Sequence, residues 1–100
     1  MIIYNTSYLI GNSMEKDFCE WMKTTFIPLL KETGTFSASY FCKVMVATED
    51  EGLTYSLQLL FKNKELFTKY YTCFESRTKA VFQAKYKNEV MSFSSLLEEA

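Results

Sequence analysis

The nine residues Leu53–Phe61, LTYSLQLLF, alternate in character. Leu53, Tyr55, Leu57, Leu59 and Phe61 fall on one side of an extended backbone, and Thr54, Ser56, Gln58 and Leu60 on the other. One side is wholly apolar and the other mostly polar, which predicts a strand with a core on one face. Ile2–Ile10 has the same period, with Ile2, Tyr4, Thr6, Tyr8 and Ile10 opposite Ile3, Asn5, Ser7 and Leu9. Phe36–Ala47 predicts another strand. Its more apolar side (Phe36, Ala38, Tyr40, Cys42, Val44 and Val46) is expected to face the core, and Ser37, Ser39, Phe41, Lys43 and Met45 to face away. On this reading Cys42 is a small buried hydrophobe. Thr48–Gly52 is acidic, ends in glycine and reads as the hairpin connection into Leu53. Val90–Leu97 predicts a last short strand.

Between these strands the period lengthens. Met14, Phe18, Trp21, Met22, Thr25 and Leu29 recur at helical spacing, with Glu15, Lys16, Asp17, Glu20 and Lys23 elsewhere around the wheel. Gly11 and Asn12 end the first strand, and Asn12 with Glu15 resembles a capping box. Pro28 removes a helical hydrogen bond to Thr24, so a kink or helix end is expected near Ile27, with Gly34 as the stop. Asn63 is placed to cap one long helix with the stripe Phe67, Tyr70, Tyr71, Phe74, Thr78, Val81 and Phe82, ending near Lys85 and Lys87.

The order strand, helix, strand, strand, helix, strand predicts an α+β fold, the ferredoxin-like βαββαβ arrangement: a four-stranded antiparallel sheet with two helices on one face. The length suits a single domain over residues 1–100. The face without helices would carry Ile3, Leu9, Phe41, Met45, Leu60, Met91 and Phe93. Soluble monomers seldom expose so large an apolar patch, so a homodimer is expected.

Composition supports that expectation. Hydrophobic residues make up 48% and aromatics 17% of only 100 residues, more than a lone small core uses. The formal charge of -1 argues against nucleic acid. The N-terminal strand has no basic segment ahead of it and no cleavage signal, and no run is long enough for a membrane span. Cys19, Cys42 and Cys73 are scattered and odd in number, as in a reducing cytoplasm. Histidine is absent, so the commonest acid–base group and metal ligand is missing. No metal or cofactor is expected.

Candidate chemistry is thin. RNA-recognition aromatics, paired metal-chaperone cysteines and a glycine-rich phosphate loop are all missing. The basic residues between Lys62 and Lys87, balanced only by Glu65 and Glu75, read as a solvated helix face. Asn5, Ser7, Ser37, Ser39, Lys43, Thr54, Ser56 and Gln58 share the parity of the less apolar sheet face. If a second subunit covers that face, these groups need partners: each other, water or a ligand. Asn5, Ser56 and Gln58 are therefore the candidate ligand-binding residues, with Trp21 and Tyr55 as aromatic candidates. No catalytic residue is evident, because the polar set holds neither carboxylate nor histidine.

MIIYN at the start, WMKTTFIPLLKETGTF at Trp21–Phe36, GLTYSLQ at Gly52–Gln58 and SFSSLLEE near the end resemble a small bacterial family. That family, found mostly in Bacteroidetes, carries a domain of unknown function related to the dimeric α+β barrel superfamily. The resemblance implies a ferredoxin-like protomer whose sheet packs on that of a second subunit. It also implies a scaffold that elsewhere hosts cofactor-free monooxygenases, haem-degrading enzymes and ligand binders. The expectation is a cytosolic homodimer that binds a small ligand or acts as an interaction module. The alternative is a cofactor-free monooxygenase-like enzyme acting on a small aromatic substrate, with Trp21, Tyr55 and Asn5 near the reacting atoms.

Overall fold

The structure, a computed structural model, describes residues 1–45 and 52–100. Among the described residues the strands are β1 (Ile2–Ile10), β2 (Ala38–Lys43), β3 (Leu53–Phe61) and β4 (Met91–Glu98). The helices are α1 (Glu15–Trp21), α2 (Ile27–Lys31), α3 (Lys64–Cys73) and α4 (Glu75–Tyr86). The sheet is antiparallel in the order β2-β3-β1-β4, so the two strands with the cleanest alternation pair at its centre. This is the ferredoxin-like α+β arrangement expected from the pattern.

Alternation sets the two faces. Ile2, Tyr8 and Ile10 of β1 and Tyr55, Leu57, Leu59 and Phe61 of β3 are buried under the helices. Phe18, Met22 and Leu30 close over them from above. Tyr8 stacks on Phe82 at 5.0 Å between ring centroids, and Phe61 meets Tyr70 at 5.6 Å. Each such side chain contributes about 1.5–3 kcal/mol on leaving water. The core is thus a layer of rings between sheet and helices.

The structure corrects several expectations. In β2 the faces are reversed: Phe41 pairs in register with core residue Leu57 and stacks on Tyr55 at 5.3 Å, while Tyr40 and Cys42 lie opposite Gln58 and Ser56 on the far side. Cys42 is accordingly exposed, not a buried hydrophobe. Ser39 and Lys43, assigned to the outer face, lie on the helix side with Leu59 and Tyr55. Met45 lies beyond the strand and is 96% exposed. Val46 and Ala47 of the expected strand, and residues 48–51 of the expected hairpin connection, lie outside the described residues.

Asn12 does not cap the first helix. Asn12–Met14 form a 3-10 turn, and Glu15 reaches to Tyr55 and Lys43 instead. The break near Ile27 is real and has a defined form: Met22–Phe26 make a π-helical turn, after which Pro28 sits in the first turn of α2. There its missing N–H matters least. Asn63 caps α3 as expected, its side chain accepting from the Leu66 N–H at 2.9 Å. The single long helix divides at Phe74, whose φ of -126° interrupts α3 and starts α4.

Candidate functional site

The helix-side face of the sheet is not evenly filled. Where α4 passes over β1 and β4, the side chains beneath are short: Thr6, and Ser92 and Ser94 across the β1–β4 ladder. Large residues would have closed this space. It remains as a cavity of about 270 Å³. Leu30, Leu57 and Leu59 form its apolar end, and Tyr4, Tyr8, Tyr70, Phe26 and Phe82 supply rings to its walls. A second recess, of about 350 Å³, lies between α3 and the far end of β4. It is more open, contains one ring (Phe67), and is bordered by the exposed Lys64–Glu98 ion pair at 3.3 Å. The first cavity, less open and richer in rings, with hydroxyls and one carboxylate among them, has the character of a ligand site.

Its polar groups converge. Tyr4 donates a hydrogen bond to Glu75 Oε2. Thr6 Oγ1 and Ser94 Oγ are 2.9 Å apart, and Tyr70 Oη lies 3.2 Å from Thr78 Oγ1. Glu75 stands in the first turn of α4, where the free N–H groups favour negative charge. Burial, aided by the hydrogen bond to Glu75, pushes the Tyr4 phenol up from its ordinary value near 10 to about 12. Tyr8 and Tyr70 are pushed up too, mainly by burial. These tyrosines therefore stay neutral, and Tyr4 is the one whose hydroxyl donates to Glu75.

The residues expected from the sequence lie elsewhere. Asn5, Ser56 and Gln58 are on the outer sheet face, on paired strands: Asn5 is in register with Gln58, and Ser56 Oγ donates to Asn5 Oδ1 at 2.6 Å. Trp21 and Tyr55 are on the helix side. Trp21 stacks on Phe26 at 5.3 Å, and Tyr55 donates to Glu15 Oε2 at 2.5 Å. Lys43 Nζ reaches the same Glu15 oxygen at 2.9 Å. The Tyr55 hydrogen bond, with Lys43 second, holds the Glu15 carboxyl below its usual value. The two groups are thus separated by the sheet, and none of the five lines the cavity.

Glu75, Thr78 and Ser94 are not singled out by the pattern as site residues. One signal was available: Glu75 is one of only two acids in the basic stretch from Lys62 to Lys87. It also follows directly on Phe74, where the helix divides. Among the described residues no cluster of His, Cys, Asp or Glu could hold a metal ion, and no helix is long and apolar enough to cross a membrane.

Fold and site together define a ferredoxin-like α+β protein with a cavity between its sheet and α4. The chain belongs to the family of the domain of unknown function DUF4286, whose model matches residues 1–100. Comparison with curated proteins gives no match. Among solved structures it is similar to an ethyl tert-butyl ether d (ethd) family protein from Bacillus halodurans. That match has 12% identity and a TM-score of 0.74, covering 100% of both chains. A dimeric ferredoxin-like protein from an uncultured marine organism matches at 14% identity and TM-score 0.73, covering 99% of this chain and 96% of that one. A monooxygenase of Streptomyces coelicolor, solved with the ligand Nanaomycin D, matches at 8% identity and TM-score 0.61, covering 99% and 88%. At these identities the likeness establishes the fold.

Proposed function

We propose that this protein is a homodimeric small-molecule-binding protein, one ferredoxin-like domain over residues 1–100, whose ligand occupies the cavity between β1, β4 and α4. The observation that carries this reading is the cavity itself: about 270 Å³, ringed by tyrosines and phenylalanines around a single carboxylate. Its size suits a mono- or bicyclic aromatic. The outer sheet face supports dimerisation. Leu9, Tyr40, Val44, Met91, Phe93 and Leu97 are all exposed there, and a matching solved structure is described as dimeric. In that dimer Asn5, Ser56 and Gln58 form a polar centre to the interface, with water or ligand completing their bonds. A cytoplasmic, bacterial setting goes with this proposal, supported by three free thiols and by the family resemblance.

Binding of small aromatic compounds by equilibrium dialysis tests the reading. The wild-type chain should retain bicyclic aromatics, and Ser94→Phe, which fills the mouth from an exposed strand, should release them without loss of fold. Unchanged binding in Ser94→Phe moves the ligand out of this cavity.

The second reading is a cofactor-free monooxygenase-like activity on a small aromatic substrate. It is favoured by the Tyr4–Glu75 pair, a proton donor and acceptor facing one aromatic cavity, and by the fold shared with the Streptomyces monooxygenase. Oxygen uptake with quinol-type compounds separates the two: consumption above the buffer rate that is lost in Glu75→Gln supports the enzyme, and none supports the binder.

A further inference from the structure

Glu75 is the one carboxylate among the residues lining the cavity. The ion pairs among the described residues are Lys43–Glu15 and Lys64–Glu98, so no cation is paired with Glu75. Lys79, one turn further along α4, lines the same cavity without coming within ion-pair distance of it. Among the described residues Tyr4 is the side chain that donates to Glu75, and its hydroxyl reaches Oε2. A carboxylate has two oxygens with about four acceptor directions between them. Tyr70 Oη, the next nearest phenol, lies 3.2 Å from Thr78 Oγ1. The carboxylate thus keeps acceptor capacity toward a cavity of mixed aromatic and polar lining, which an occupant with a hydrogen-bond donor would use.

Resting on the ligand-binding reading above, we infer that the cavity selects a neutral, hydroxyl-bearing aromatic compound, with Glu75 accepting the hydrogen bond of that hydroxyl. The ring lies among Tyr8, Phe26 and Phe82, and the hydroxyl turns toward α4. The Thr6–Ser94 hydroxyl pair on the strand side stands ready for a second polar substituent. An anionic ligand is disfavoured by Glu75, while the exposed Lys79 on the same wall leaves the site no net negative charge to draw a cation. A phenolic hydroxyl brings the donor without the charge, and a bond to a charged acceptor is among the stronger kinds.

Affinities of a naphthol, its methyl ether and a naphthylmethylammonium ion, measured by calorimetry on the full chain, test this. The naphthol should bind wild type about tenfold more tightly than the ether, the equivalent of one hydrogen bond to a charged group. Glu75→Gln should shrink that ratio to about twofold while leaving the ether's affinity unchanged, which a general loss of structure would not do. Tyr4→Phe keeps the ring and frees the occupied oxygen, so the preference for naphthol should persist or grow. Equal binding of naphthol and ether by wild type overturns the role of Glu75 but leaves the cavity as a binding site. Tighter binding of the ammonium ion overturns the ligand class. If none of the three binds, the cavity reading falls as well.

Discussion

Tyr86 is buried among Phe18, Trp21 and Phe82, and its hydroxyl finds no hydrogen-bond partner among the described residues. A buried unpaired hydroxyl costs free energy, whereas its removal with the ring kept leaves packing intact. Tyr86→Phe should therefore be neutral or up to about 1 kcal/mol more stable in chemical denaturation; a loss larger than that would mean the hydroxyl has a partner. Gly52 shows the opposite kind of constraint. Its φ is 103°, and a Cβ there would come within 2.5 Å of the Ile10 carbonyl oxygen. The clash is with backbone, which cannot swing aside. Gly52→Ala should cost roughly 1–3 kcal/mol by the same measurement, and a neutral result would show that the strand end relaxes freely. Glu75 belongs at this scale too: apart from its sign within a basic stretch, nothing in its local sequence separates it from a solvated helix residue. Its partner Tyr4 is 71 positions away, so only the folded chain brings acceptor and donor together.

At the scale of elements, the sheet presents two apolar faces of different origin. The helix side is closed by the protein's own rings, while Met91 and Phe93 of β4 stand 69% and 68% exposed on the other. Light scattering should give twice the 11.7 kDa chain mass, and Phe93→Asp should lower it toward one chain with the fold retained. A wild-type monomer would contradict the interface. The same two-sidedness explains what the pattern revealed and what it hid. β1 and β3 were legible because their outer centres are polar at Asn5, Ser7, Ser56 and Gln58, so apolar meant inward. In β2 the rule failed. Tyr40, Cys42 and Val44 are the more apolar set yet lie outward, because that face is itself apolar, and Lys43 is tolerated inward because it reaches Glu15. The break at Phe74 escaped detection since the apolar stripe runs through it uninterrupted. The cavity could not be read at all: it arises from small residues on β1 and β4 meeting a helix far along the chain.

For the whole molecule, the buried tyrosines couple stability to alkaline pH. Burial raises Tyr4, Tyr8, Tyr55, Tyr70 and Tyr86 above their ordinary value near 10, with Tyr4 at about 12. A group whose folded value is raised stabilises the native state fully below its unfolded value and loses that contribution as pH rises through the folded one. Thermal unfolding should thus be insensitive to these groups below pH 10 and fall steeply from there to pH 12 and beyond, in step with tyrosinate absorbance. Tyr4→Phe should make the fall shallower, and a melting temperature that is flat across that window would contradict the buried tyrosine layer. The central claim, that the ligand lies on the helix side of the sheet, is tested most directly by intermolecular nuclear Overhauser contacts from a bound naphthol. The result expected is contacts to Thr6, Leu57, Thr78 and Phe82, with none to the outer face. Contacts instead to Ile3, Leu60 and Leu97, around Asn5 and Gln58, would place the ligand under the partner sheet and contradict it.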